Sequence, residues 1–126
     1  MGRFWIGVAL LGVFLGLGLW VAEAMDSIHI PIAQKLEQAA QDTFAGDMES
    51  GVARADEAYR EWERCWRGTA AVADHAPMDE IDGLFAQVQS YAQAGDGADF
   101  AAGCRRLSKL IEAIGEAHSP GWWNLL

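Results

Sequence analysis

Apolar residues recur at gaps of three and four along most of the chain. Val52, Ala55, Tyr59, Trp62, Trp66, Thr69 and Ala73 follow one another at gaps of 3, 4, 3, 4, 3 and 4, the seam of a helix that buries one continuous stripe. Three large rings on that seam need apolar surfaces to lie against, and the flanking segments supply them. Ile28, Ile32, Leu36, Ala39 and then Thr43 or Phe44 precede it at helical spacing. Met78, Ile81, Phe85, Val88 and Tyr91 or Ala92 follow, and after them Phe100, Cys104, Leu107, Ile111, Ile114 and Ala117 or His118. Four such stripes and no strand-like alternation predict an all-α protein.

Punctuation divides the stripes. Gly46 ends the first soluble helix, and Asp47 is placed to cap the next, with Glu49 in its first turn where the helix dipole favours an acid. That second helix is expected to run to about Asp74, stopping by His75 because Pro77 disfavours helical geometry at Ala76. Residues 74–82 then form the connection to the third helix. Gly95-Asp96-Gly97 separates the third from the fourth, and Ser119-Pro120-Gly121 stops the fourth. Ala45-Gly46-Asp47 recurs as Ala94-Gly95-Asp96, 49 residues on, which predicts an antiparallel bundle of about four helices built as two tandem hairpins. Within the second helix, Arg60 with Glu63 and Glu61 with Arg64 place opposite charges three apart.

Ahead of the bundle, Phe4 to Ala22 holds no charged or strongly polar residue. These 19 residues reach about 28 Å as a helix, close to a hydrocarbon core. Arg3 before the run and Glu23 and Asp26 after it orient the N-terminus to the cytoplasm and the rest outside, with Trp5 and Trp20 at the interfaces. The chain therefore divides into a transmembrane anchor, 1–24, an extracytoplasmic bundle, 25–121, and an apolar tail, 122–126. The competing reading is a signal peptide cleaved after Ala24, because Ala22-Glu23-Ala24 has the small-x-small pattern. Gly12 and Gly16, four apart, would let two anchors pack closely as a homodimer. Pro31 either begins the first soluble helix or kinks one that continues out of the membrane, and His29 is expected to be exposed near the bilayer.

Charge narrows the functional classes. Eighteen acids against nine bases give a formal net charge of −9, which opposes binding to nucleic acid. Between Asp74 and Asp99 there are six acids and no Lys or Arg, the pattern of an acidic helix facing solvent between two more basic neighbours. The two cysteines would invite a disulfide outside the cytoplasm. In parallel second and fourth helices, however, Cys65 and Cys104 differ in height by about 15 Å, too far for a bond. Asp74, His75, Asp79 and Asp82 resemble a metal or proton-transfer site, but no second histidine and no established ligand spacing supports them. Asp79 is equally a cap. There is no phosphate-binding glycine loop and no nucleophile elbow, so neither a catalytic residue nor a cofactor is expected.

The Trp62 to Trp66 region and the stretch from Asp74 through Asp82 resemble the DUF4363 family, whose corresponding stretch reads Asp-His-Ser-Glu-Ile-Asp-x-Ile. Tyr91 before Gly95-Asp96, the Leu107 to Ile114 helix and the Asn124-Leu125-Leu126 ending fit as well, so the likeness covers nearly the whole chain. Pro77 and Met78 stand where the family usually has Glu-Ile. The resemblance implies a membrane helix followed by an extracytoplasmic helical domain, and no assigned activity. The expected function is that of a protein–protein interaction or scaffold module in the cell envelope. Its partner would be an envelope or membrane protein, with Trp122, Trp123, Leu125 and Leu126 as candidate contacts. A cation-responsive module using Asp74, His75, Asp79 and Asp82 is the alternative.

Overall fold

The computed structural model describes residues 1–69 and 76–118, and these form four α-helices with no strand among them. They are α1 (Gly2–Phe44), α2 (Met48–Thr69), α3 (Ala76–Ala94) and α4 (Gly97–His118). The apolar N-terminal run and the first bundle helix are one element of 43 residues, about 64 Å long. Pro31 lies inside it, so of its two expected roles it takes that of a residue within a continuing helix. Its missing N–H would have met the carbonyl of Ser27, and both residues are exposed, so water can serve that carbonyl. No helix boundary therefore falls at the expected division between residues 24 and 25.

The repeated Ala-Gly-Asp turns are built alike. Gly46 and Gly95 take positive φ, 91° and 70°, a region where a side chain would be strained. The next amide reaches back five residues in each: Asp47 N to Asp42 O at 2.9 Å and Asp96 N to Tyr91 O at 3.0 Å, closing the preceding helix. Each aspartate then caps the following one. Asp47 accepts from Ser50 N at 3.0 Å and Asp96 from Asp99 N at 3.1 Å. The two bonds that Asp47 accepts from Ser50 hold its carboxyl below the usual value. The two predicted hairpins are therefore α1/α2 and α3/α4.

Three of the lateral contacts are closed by small residues. Between α1 and α4, Ala33, Ala40, Ala101, Cys104 and Ser108 are buried, and the Ser108 hydroxyl donates to Ala33 O at 2.8 Å. Between α1 and α2, a Cβ on Gly51 would stand 2.8 Å from Ala39 O. Between α3 and α4, one on Gly103 would stand 2.8 Å from Val88 Cγ2. The contact of α2 with α3 is different in kind, because rings bridge it: Tyr59 and Phe85 have centroids 5.2 Å apart and Trp62 and Phe85 6.4 Å. The core of Ile32, Leu36, Trp62, Ile81, Phe85, Phe100, Leu107 and Ile111 follows the predicted stripes.

Several expectations change. The third helix begins at Ala76, so most of the predicted 74–82 connection is helical; Pro77 falls in the first turn, where a missing N–H costs nothing and its fixed φ suits a helix. His29 is buried, 8% exposed, lying edge-on to Trp62 at 6.2 Å beside the bare backbone of Gly115. Thr43 turns toward the bundle and Phe44 outward, 59% exposed with the Arg105 guanidinium 4.9 Å from its ring centre. Neither ion pair expected along α2 forms. Glu61 instead meets Lys35 of α1, and Glu63 accepts from the Tyr59 hydroxyl at 2.9 Å. Ala73 of the predicted seam and the Ser119-Pro120-Gly121 stop lie outside the described residues.

Candidate functional site

Rings that join α2 to α3 also hold them apart. Trp62 donates from Nε1 to Asp82 Oδ1 at 3.0 Å, and the Tyr59 ring packs at a tilt against Phe85, which sets the register of the two antiparallel helices. Extended toward the turn end of the bundle, the same register puts Val52 level with Ala92. Those side chains are too short to span a gap propped open by indole and phenol rings. A groove of about 220 Å³ results. Its floor is Ala55, Tyr59, Phe85 and Val88, with Phe100 closing it from beneath, and its rim carries Asp56, Gln89 and Gln93. The floor is apolar and the rim is one carboxylate and two amides, the composition of a contact for a protein side chain more than of a reaction centre. The bond to Glu63 pushes the Tyr59 hydroxyl above its usual value, so it stays protonated at neutral pH. Sequence periodicity marked Tyr59 and Phe85 as core but gave no signal for Asp56, Gln89 or Gln93, whose role comes from helix spacing.

Only part of the Asp-His stretch falls within the described residues. Asp74 and His75 lie outside the described residues. Asp79 and Asp82 sit in the first two turns of α3, and Asp82 accepts the Trp62 indole N–H. No group of three His, Cys, Asp or Glu suited to a metal occurs among the described residues. Trp122, Trp123, Leu125 and Leu126 also lie outside them. In the apolar part of α1, Trp5 and Trp20 are exposed, and among the described residues nothing lies within 4 Å of a Cβ placed on Gly12 or Gly16.

Neither Cys65 nor Cys104 is in a disulfide. Burial pushes Cys104 up to about 12 and raises Cys65 as well, so both are protonated at neutral pH and neither is an activated nucleophile. A second recess, about 340 Å³, lies between α1 and α2; Ile28, Pro31 and Ile32 line one wall and Glu61, Arg64 and Cys65 the other. Among the described cations, Lys35, Arg54, Arg105 and Lys109 are in ion pairs. Arg60, Arg64 and Arg67 of α2 are exposed and in none.

These features define a class: an all-α chain whose first helix has a segment, Gly2–Val21, apolar enough to cross a membrane and unburied by the bundle, continuing without interruption into a four-helix bundle. The chain belongs to the DUF4363 family, a domain of unknown function, whose model matches residues 19–125. No curated protein and no solved structure matches it. The match begins at the end of the apolar segment and takes in the whole described bundle.

Proposed function

We propose that this is a membrane-anchored binding module of the cell envelope, with its bundle outside the cytoplasm and no catalysis of its own. The observation that carries the reading is the groove between α2 and α3, an apolar floor with a polar rim, where rings bridge two helices that small residues do not draw together. Groups able to do chemistry do not converge there: the nearest carboxylates are Asp56 on the rim and Glu63, which is bonded to Tyr59. The exposed apolar segment Gly2–Val21, 20 residues long, supports the anchoring part, since a run of this length gains nothing from contact with water. Arg3 before it and the acids after it support the orientation.

A photo-crosslinking residue in place of Gln93, on the groove rim, is expected to trap a protein neighbour in native membranes. The same residue in place of Arg106, on the exposed side of α4, is not. Equal trapping at both positions, or no protein adduct at either, overturns the proposal. For the orientation, a cysteine at Ala98 is expected to react with a membrane-impermeant maleimide on intact cells; protection until lysis would place the bundle inside.

A further inference from the structure

We propose that the α2–α3 face is a self-association surface, on which a second copy of this chain docks about a two-fold axis running along the bundle. The inference deepens the binding role proposed above and rests on its membrane anchor. Two copies tethered in one membrane through α1 stand parallel, so a symmetric pair of them is related by an axis along the membrane normal. Such an axis brings α2 of one copy opposite α3 of the other, with residues of equal height facing each other.

Charge on this face is complementary under that operation. At about 100° per residue, Arg60 and Arg67 lie on the side of α2 that carries Asp56 of the groove rim. Asp79 and Asp82 lie on the side of α3 that carries Gln89 and Gln93. The register fixed by Trp62–Asp82 and Tyr59–Phe85 puts Arg67 level with Pro77, two residues or about 3 Å from the height of Asp79. It likewise puts Arg60 level with Leu84, about 3 Å from the height of Asp82. Neither arginine has an ion-pair partner among the described residues of its own copy, and the nearby Glu63 is bonded to Tyr59. Across the axis, each Arg67 meets an Asp79 and each Arg60 an Asp82, twice over. The groove floor is covered in the same step.

The size of the face decides how the pair behaves. Two helices about 10 Å wide and about 28 Å long offer roughly 560 Å² per copy, near the lower limit of a stable interface. Confinement to a membrane raises the effective concentration enough to populate such a contact, so the dimer forms in a bilayer and dissociates on dilution into detergent.

The test is energy transfer between donor- and acceptor-labelled copies of the full chain in phosphatidylcholine vesicles, whose neutral headgroups leave the charges to the protein. Arg67→Glu alone gives like charges across the axis and is expected to weaken association about tenfold. Asp79→Arg alone does the same from the other side. Mixed one to one, the two variants regain opposite charges at both contacts and are expected to restore transfer with dimer stoichiometry. Transfer unchanged in either single variant, or unrestored on mixing, overturns the proposal. So does transfer that survives both charge changes but is lost in Gly12→Leu/Gly16→Leu, which would assign association to the anchors. Unchanged circular dichroism is required of each variant, and both substituted positions are exposed. A Gln93 adduct to a different protein would sink this inference while leaving the binding role intact, whereas absence of any protein adduct would sink both.

Discussion

Adding one methyl group to each of two glycines should move stability in opposite directions. At Gly51 a Cβ would stand 2.8 Å from the carbonyl oxygen of Ala39 and closer still to the Thr43 hydroxyl, which itself bonds that carbonyl at 2.9 Å. Backbone cannot swing aside as a flexible side chain can, so α1 and α2 must separate. Overpacking of this kind costs about 1–3 kcal/mol, and exchanging glycine for alanine inside a helix returns about 1 kcal/mol. A net loss of up to about 2 kcal/mol is expected, lowering Tm by up to about 10 °C for a bundle of this size. At Gly83, an exposed position within α3, nothing lies within 4 Å of the added carbon. Only the propensity gain remains there, and Tm should rise by roughly 4 °C. Urea and thermal unfolding of the full chain in mild detergent, followed by circular dichroism, measure both. Stabilisation by Gly51→Ala would mean that α1 and α2 do not approach at this point, and destabilisation by Gly83→Ala would mean that the outer side of α3 is covered.

Trp62→Phe removes the indole bond to Asp82 and part of a buried ring, and should cost about 2 kcal/mol; a double-mutant cycle with Asp82→Ala should show coupling of at least about 0.5 kcal/mol, and strict additivity would deny the bond. With the Cys104 thiol at about 12 when folded and about 8.5 when unfolded, the unfolded chain loses a proton first. Stability is then unaffected below about pH 8 and falls as pH rises above it, by up to about 1.4 kcal/mol per unit. Urea midpoints between about pH 8 and 10.5 should flatten in Cys104→Ala, apart from a smaller contribution of Cys65, and an undiminished slope would contradict the burial. Ala92→Leu places three more carbons in the half-open groove, so unfolding should become harder by about 1 kcal/mol while crosslinking from Gln93 falls; loss of both stability and crosslinking would indicate a groove too narrow to fill.

The stripes and turns were legible because their signals are local. A glycine with positive φ and an aspartate cap are chosen by the geometry of one turn, so Ala45-Gly46-Asp47 and Ala94-Gly95-Asp96 announced both hairpins. Phe85, Leu107 and Ile111 are large and apolar at helical spacing, and such residues have few places to go but inward. Alanine carries no such signal: Ala58 and Ala101 are wholly buried because neighbouring backbones come close, and closeness is a property of two helices together. His29 misled for a related reason. Its surroundings in sequence are those of a membrane exit, while the cavity that takes it is made by Trp62 and Gly115, 33 and 86 residues away.

The functional surface was less legible than the fold. Asp79 and Asp82 stood out for their chemistry, but Asp82 is an acceptor for an indole N–H, a role that depends on where α3 starts. Arg60 and Arg64 were expected to pair along their own helix. Glu61 sits close enough to α1 to meet Lys35, and Glu63 accepts from the Tyr59 hydroxyl one turn earlier in α2, so both acids are engaged elsewhere and neither arginine is in an ion pair among the described residues.

One property of the sequence accounts both for the stability of the bundle and for its open side. Placing glycine, alanine, serine and cysteine at three contacts draws α1 toward α2 and α4, and α4 toward α3, until backbones nearly touch. The remaining pair, α2 and α3, must then span whatever distance the other three leave, and only indole and phenyl rings are long enough to do so. Rings fill the half of that gap at which they occur. In the other half, Val52 and Ala92 face each other across a distance set elsewhere, so an apolar floor stays open to whatever covers it. Larger residues at those two positions would close the bundle more completely, and the short side chains found there keep a surface that a partner can bury.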